Sequence, residues 1–272
     1  MSDYPFVKGH GTENDFVLLP DPDGTVHGDL SADRVRALCD RRAGIGGDGV
    51  LRVVRGSVYG DDYGDGAEWF MDYRNSDGSL SEMCGNGIRV FARYLQQHEG
   101  ATGEIAIGTR AGTKTVVFED DGRITADLGE PAVLGESKVS VGDRSWAAVH
   151  VSTGNPHAVA FVDHLDDAGS LLEEPAYDAG VYPDGVNIEF VVRRGERHVA
   201  MRVHERGSGA TRSCGTGACA VMVASALADG AGPGSTYQVD VPGGELEVTW
   251  TSDNRLLLTG PAVLVASGVS AL

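Results

Sequence analysis

Apolar and polar residues alternate along most of this chain with the period of two that marks half-buried strands. The pattern is clearest over Asp15–Leu19, Val50–Val54, Glu68–Tyr73, Lys114–Glu119, Ala147–Val151 and His157–Val162. It recurs over Asn187–Val192, His198–Val203, Tyr237–Val241, Glu245–Trp250 and Arg255–Thr259. Asp121-Gly122, Gly243-Gly244 and Asp253-Asn254 supply hairpin turn chemistry between several of these runs. The strands follow one another without regular intervening helices, which predicts antiparallel sheets and not a Rossmann series. Three segments switch to a helical period. Ser31 predicts a cap for a helix reaching about Arg42, with Val35, Leu38 and Cys39 on one face. A second helix opens near Gly85 and sets Ile88, Phe91, Ala92 and Leu95 on one stripe. A third opens near Gly215 and is apolar on nearly every side, through Ala218, Cys219, Val221, Met222, Val223 and Ala226. A helix of that kind belongs inside something larger, here the concave face of a sheet.

The second and third helices open on the same words. Cys84-Gly85-Asn86-Gly87 starts one and Cys214-Gly215-Thr216-Gly217 the other. Upstream of each, at a similar separation, a strand begins at an asparagine turn: Asn14 in His10-Gly-Thr-Glu-Asn14, and Asn155 in Thr153-Gly-Asn155-Pro-His157. The chain therefore reads as two related halves, residues 1–118 and 119–262, linked near 119–122, with a tail 263–272 able to join the first half. Gly44-Ile-Gly46-Gly-Asp-Gly49 satisfies G-x-G-x-x-G in letters only. It follows a helix and precedes a strand, the reverse of a dinucleotide fingerprint, and reads as a turn.

Composition narrows the partners. The 272 residues are 41% hydrophobic, enough for a real core, and carry a net charge of −18. Such a field repels nucleic acid and anionic membranes. The first twenty residues lack the pattern of a signal peptide, and no run approaches the roughly 18 apolar residues of a membrane span. The four cysteines do not form a disulfide scaffold and read as thiols of a cytoplasmic protein. Cys39 and Cys219 fall on apolar helix faces and are expected in packing. Cys214 and Cys219 lack cysteine or histidine partners at ligand spacing, so no metal is expected. His27, His98 and His164 read as surface residues, and His157, after the Asn-Pro turn, as functional.

A thiol at the first turn of a helix meets unpaired N–H groups and the positive end of the dipole. Both favour thiolate and lower a cysteine from about 8.5 toward neutrality. Two such thiols in related halves fit a task that one does not: inverting a stereocentre, with a base on one face of the carbon and an acid on the other. Pyridoxal phosphate would require a Schiff-base lysine, and Lys8, Lys114 and Lys138 sit in no suggestive context, so no cofactor is expected. Helix N-termini would then stabilise the carbanion through the substrate carboxylate. Arg206 can fork onto a carboxylate, Glu205 can hold an ammonium, and Asn14, Asn75, Asn86, Asn155 and Asn187 can orient both ends. The expected partner is a small amino acid.

These residues carry a resemblance. From about residue 6 to 262 the chain resembles the diaminopimelate epimerase family, through His10–Phe16, Asn75–Ser79, Met83–Arg89, Gly154–His157, Asp184–Asn187, Glu205–Gly209 and Ser213–Gly217. The resemblance implies an α/β (α+β) fold of two pseudo-symmetric domains, each a curved, mainly antiparallel sheet around a central helix, with the site in the cleft between them. It implies Cys84 and Cys214 as the two-base pair, with Cys214 accepting and Cys84 donating from the LL to the meso form. It assigns substrate contacts to Asn14, Asn75, Gly85, Asn86, Asn155, Asn187, Glu205, Arg206, Gly215 and Thr216, and tuning of the thiols to His157 and Glu205. The implied reaction serves lysine and peptidoglycan synthesis. The chain departs from the pattern at His10–Glu13, Gly49 and Ala210, and at Ala266, where some members carry an aromatic residue in a homodimer interface. Two rivals stand beside this reading: a proline or hydroxyproline racemase on the same two-cysteine plan, and a thiol redox or binding protein without isomerase activity.

Overall fold

The computed structural model describes residues 4–60 and 66–272. The chain divides into two units, Met1–Ala126 with Pro261–Leu272, and Asp127–Gly260. The first opens with β1 (Tyr4–Gly11) and β2 (Asn14–Pro20). Thr12 and Glu13 join them with both residues left-handed, at φ 48° and 63°, the hairpin turn whose twist suits the strands. Then come α1 (Ala32–Cys39), β3 (Gly49–Arg55), the short α2 (Gly56–Tyr59), β4 (Trp69–Asn75), α3 (Gly85–His98), β5 (Glu104–Gly108), β6 (Lys114–Phe118) and β7 (Ile124–Gly129). The division between units falls inside β7.

The second unit holds β8 (Ala132–Val141), β9 (Arg144–Ser152), β10 (Pro156–Phe161), the two-residue β11 (Ala176–Tyr177), β12 (Asn187–Gly195), β13 (His198–Glu205) and β14 (Gly209–Thr211). It continues through α4 (Gly215–Ala228), β15 (Ser235–Val241), β16 (Gly244–Trp250) and β17 (Leu256–Gly260). The last strand, β18 (Val263–Ser270), returns to the first unit and pairs with β1.

Each unit builds the same ladder. In the first the order is β18-β1-β2-β3-β4-β5-β6-β7, with β2–β3 and β4–β5 parallel and the other neighbours antiparallel. In the second it is β8-β9-β10-β12-β13-β15-β16-β17, with β10–β12 and β13–β15 parallel. Both sheets are mainly antiparallel, as expected, and the cause of the parallel pairs is local. A parallel neighbour needs a crossover, and the central helices α3 and α4 supply one in each unit.

Both sheets are buried on two faces where they matter. Along β2, Phe16 and Leu18 alternate with Val17 and Leu19. The latter pair packs with Val35, Leu38 and Cys39 of α1. Along β12, Ile188 and Phe190 join a cluster with Val139, Ala158, Ala160 and Tyr182, while Glu189 and Val191 point to the opposite face. α4 is met by β9, β10, β12, β13, β15, β16 and β17, which is possible only for a sheet curled round the helix. Its small side chains, alanine at 218, 220, 224 and 226, let those strands close in and leave the helix buried almost throughout. α3 is met by β1, β2, β3, β4 and β18 and keeps an exposed end at Gln97 and His98.

Every strand expected from alternation overlaps an observed one, and the three helices start where their caps predict. α1 ends at Cys39, short of Arg42, because Asp40 turns extended and its carboxylate takes the N–H groups of Arg42 and Ala43, each at 2.7 Å. Strands β1, β5, β7, β8 and β18 were not expected. Glycine and proline interrupt β1, and β8 and β18 are largely exposed, so neither face shows an apolar rhythm. His27 is not a surface residue. It is 4% exposed, its Nε2 lies 3.1 Å from the Pro5 carbonyl, and Arg34 hydrogen-bonds its other ring nitrogen. Burial first, then the Arg34 charge, push its pKa down to about 4. No helix among the described residues is long and apolar enough to cross a membrane.

Candidate active site

The first unit sets Cys84 as the N-cap of α3, with extended backbone and the sulfur accepting from Gly87 N at 3.4 Å. The Cys84 thiol points to Asn14 Oδ1 at 3.7 Å, and Asn86 Nδ2 donates to that same oxygen at 3.2 Å. Asn14 stands at the start of β2, immediately after the left-handed turn, and its Nδ2 donates to Asp48 Oδ2 at 2.7 Å. Asp48 in turn receives Arg41, and burial raises its carboxyl above the usual range. Asn86 is buried and accepts from Arg89 at 2.9 Å. Gly85 opens α3. Asn75 ends β4 opposite Gly49, with Nδ2 on Ser79 Oγ at 3.0 Å. Thus Cys84, Asn14 and Asn86 form one hydrogen-bonded group, and Asn75 is held separately at the strand end.

The second unit repeats the thiol cradle. Cys214 is the N-cap of α4, and its Sγ accepts from Gly217 N at 3.3 Å and lies 3.5 Å from Thr216 Oγ1. Asn155 Nδ2 reaches Thr216 Oγ1 at 3.5 Å, and Asn155 Oδ1 lies 3.0 Å from His157 Nε2. The far ring nitrogen of His157 is 2.7 Å from Glu189 Oε1, and both side chains are fully buried. Glu205 ends β13, receives the Thr211 hydroxyl and hydrogen-bonds the Cys214 thiol. Asn187 Oδ1 accepts from the Arg206 backbone N–H at 3.0 Å. The Arg206 side chain is exposed and donates to the Asp184 carbonyl at 3.0 Å. Gly215 is the first residue of α4.

Burial, then the carboxylates of Glu205 and Glu189, push the Cys214 thiol well above the ordinary thiol range, against the pull of the Thr216 hydroxyl and the Gly217 N–H. This reverses the expectation of a lowered thiol at Cys214: the helix-start donor acts as predicted, but desolvation and two acidic neighbours outweigh it. Burial also raises Glu205 to about 7, opposed by Thr211 and by its bond to Cys214 and helped by Glu189. A carboxyl half-ionised near neutrality, hydrogen-bonded to a thiol, is suited to pass a proton in either direction.

Sequence reasoning missed Glu189, Thr211 and Asp48. For Glu189 a signal existed. Asn187-Ile-Glu-Phe-Val-Val192 is an otherwise apolar strand with one carboxylate on the face of Asn187.

The chain matches the family model described as diaminopimelate epimerase over residues 6–134 and 149–265. It is 58% identical to the diaminopimelate epimerase of Streptomyces coelicolor, over 97% of this chain and 94% of that one. Solved structures share the fold at low identity. A phenazine biosynthesis protein of the PhzF family from Bacillus anthracis superposes with a TM-score of 0.72 at 17% identity, covering 100% of both chains. A hydroxyproline epimerase from Agrobacterium vitis gives 0.67 at 14%, covering 99% of this chain and 91% of that one.

Proposed function

We propose that this chain, which belongs to the diaminopimelate epimerase family, interconverts LL-diaminopimelate and meso-diaminopimelate by proton transfer between two thiols. The observation that carries the reading is the duplicated cradle. Cys84 and Cys214 occupy the same place in the same ladder, each an N-cap whose sulfur accepts from the N–H three residues on. A frame built twice around one nucleophilic atom suits a reaction with two mirror-related half-steps.

From the LL to the meso form, Glu205 relieves Cys214 of its proton, and the thiolate takes the substrate α-proton as the C–H bond breaks and an S–H bond forms. The Cys84 thiol delivers its proton to the opposite face of the carbanion, and the reverse reaction exchanges the roles. The N–H groups at Gly85, Gly215 and Thr216 hold the carboxylate that shares the negative charge. Asn14, Asn75, Asn86, Asn155 and Asn187 orient the substrate, Glu205 and Arg206 meet its ammonium and carboxylate ends, and His157 adjusts the charge beside Cys214. The product feeds lysine and peptidoglycan synthesis. The setting we propose is the cytoplasm. The exposed apolar side chains of β18, Val263, Val265 and Val269, support a homodimer.

The test is α-proton exchange in deuterated water with Cys84→Ala and Cys214→Ala made separately. Each variant is expected to lose epimerisation by about 10³-fold or more, in line with general acid–base catalysis. Full turnover in either would reject the two-thiol mechanism. Turnover of proline by the intact protein, with none of LL-diaminopimelate, would reject the substrate and leave the racemase reading, which draws only on a shared fold.

A further inference from the structure

Beneath the start of α4 lies a buried carboxyl group with no role in the proton transfer between the thiols. Glu189 is wholly buried, with Oε1 2.7 Å from His157 Nδ1. Its Oε2 has no hydrogen-bond partner among the described residues. A carboxyl group is seldom buried with one oxygen bare unless its other oxygen is firmly held. His157 is placed to hold it, because its two ring nitrogens face oxygens: Glu189 Oε1 on one side and Asn155 Oδ1 on the other. The Asn155 amide is oriented by two further partners, the Thr153 hydroxyl at 3.3 Å on its oxygen and Thr216 Oγ1 at 3.5 Å on its nitrogen. Contacts therefore run Glu189–His157–Asn155–Thr216–Cys214. The carboxylate also touches the thiol's own cradle. A Cβ on Gly217 would fall 2.7 Å from Glu189 Oε1 and 3.2 Å from Cys214 Sγ.

The sister unit shows that this group is not needed to build the frame. Parallel register sets Phe16 opposite Gly49 on β2–β3, and His157 opposite Asn187 on β10–β12. By that register Phe16 corresponds to His157 and Leu51 to Glu189, and both apolar side chains pack under Gly87, at 3.5 and 3.4 Å from where its Cβ would stand. The same positions are filled by plain hydrocarbon beneath Cys84.

We infer that Glu189 is a positioning residue of the epimerase: through His157 and Asn155 it holds the groups around Cys214. The inference rests on the proposed two-thiol reading. Titration there involves every group facing the pair: Glu205 from β13, His150 from β9, Tyr182 from the segment before β12, and Cys214 itself. Glu189 raises the proton affinity of Cys214 and of Glu205, so its loss should lower both.

The experiment compares wild type with Glu189→Gln and with the double variant Glu189→Leu/His157→Phe, which copies the sister unit. Wild-type turnover of LL-diaminopimelate is measured first, and its failure would count against the functional reading, not this one. Glu189→Gln keeps shape and an acceptor for His157. It is expected to lower kcat about tenfold or more with KM within about threefold, and to move the neutral limb of the kcat/KM profile toward acid by roughly one pH unit. Iodoacetamide alkylation of Cys214, read by mass spectrometry against pH, should shift the same way without substrate present. The double variant should fold with an unchanged or higher Tm yet lose at least about 10²-fold in kcat. An unchanged kcat, pH profile and alkylation curve in Glu189→Gln would overturn the inference. So would a double variant that folds and works.

Discussion

The two units share one ladder, one central helix and one thiol cradle, and differ in what lies beneath the sulfur. Under Cys84 the sheet presents Phe16 and Leu51, and its strand end carries Asn75. Under Cys214 the matching places hold His157 and Glu189, and the pairing of Ile188 with His204 sets Glu205 where the first unit has Asn75. Three positions thus place ionisable side chains beneath and beside Cys214 where the first unit has Phe16, Leu51 and Asn75, while every strand keeps its partner. Register accounts for this economy. A residue's face is fixed by its parity on the strand, so a polar substitution at an inward position changes the chemistry beside the helix start and leaves the ladder intact. The helices follow suit. α3 is amphipathic and emerges at His98, whereas α4 is apolar on nearly every side after Thr216, so in the second unit the other polar groups at the site come chiefly from the strands and loops.

The sharpest way to break this contrast is to neutralise the acid on one side. Glu205→Gln is expected to lower kcat/KM by about 10²- to 10³-fold and to erase the limb near pH 7, because in the proposed mechanism that carboxyl, raised to about 7, exchanges the proton of Cys214. Asn75→Ala, at the matching place, should cost about tenfold, chiefly in KM, since the role proposed for it is to orient the substrate and an amide moves no proton. Initial rates across pH would check both. Equal effects, or a surviving limb in Glu205→Gln, would erase the asymmetry.

A smaller effect should separate the two cradle glycines. A methyl on Gly217 would meet the Glu189 carboxylate at 2.7 Å, too close to stand, whereas one on Gly87 meets Cys84 Cβ at 3.2 Å and hydrocarbon at 3.4 and 3.5 Å. Alanine favours a helix over glycine by about 1 kcal/mol, so Gly87→Ala should come out near neutral in stability. Gly217→Ala should lose roughly tenfold or more in kcat as the carboxylate is displaced from His157. Thermal melts beside turnover numbers would decide, and equal losses at the two glycines would mean that Glu189 is not held in place.

Much of this frame could be read from the chain before any coordinates. Alternation, hairpin dipeptides and the repeated Cys-Gly-x-Gly marked the strands, the central helices and the paired thiols, because each rests on local chemistry. The edge strands escaped. β8 and β18 are mostly exposed, so no buried face imposes a rhythm on their sequence. His27 escaped for a different reason: Pro5, Tyr4 and Arg34 bury it, and two of these lie more than twenty residues away. The proton affinity of Cys214 was misjudged because a helix start is visible in sequence but the burial of a sulfur is not, nor is a carboxylate twenty-five residues upstream on a neighbouring strand.

The smallest expected effect is a difference of sign in how acid acts on the two units. His27, in the first, has its pKa lowered to about 4 by burial and the Arg34 charge. Its folded form resists the proton that the unfolded chain accepts near pH 6.5, so stability present at neutral pH is lost as pH falls from there through 4. Asp15, held at about 2 against its burial by Arg41 and Lys8, adds a loss in the same direction below the ordinary carboxyl range. Glu205, in the second unit, is raised to about 7, so its protonated form is favoured by folding. Its contribution is complete below pH 4.5 and disappears as pH rises through 7. Between pH 7 and 4.5, therefore, acid should weaken the first unit at His27 and strengthen the second at Glu205. His27→Gln should flatten the fall of Tm on acidification, and Glu205→Gln should steepen it, by a few degrees each. Differential scanning fluorimetry at half-unit pH intervals would resolve the slopes. Identical slopes in wild type and Glu205→Gln would mean that the carboxyl beside Cys214 titrates like an exposed one, and the contrast between the two half-sites would lose its electrostatic basis.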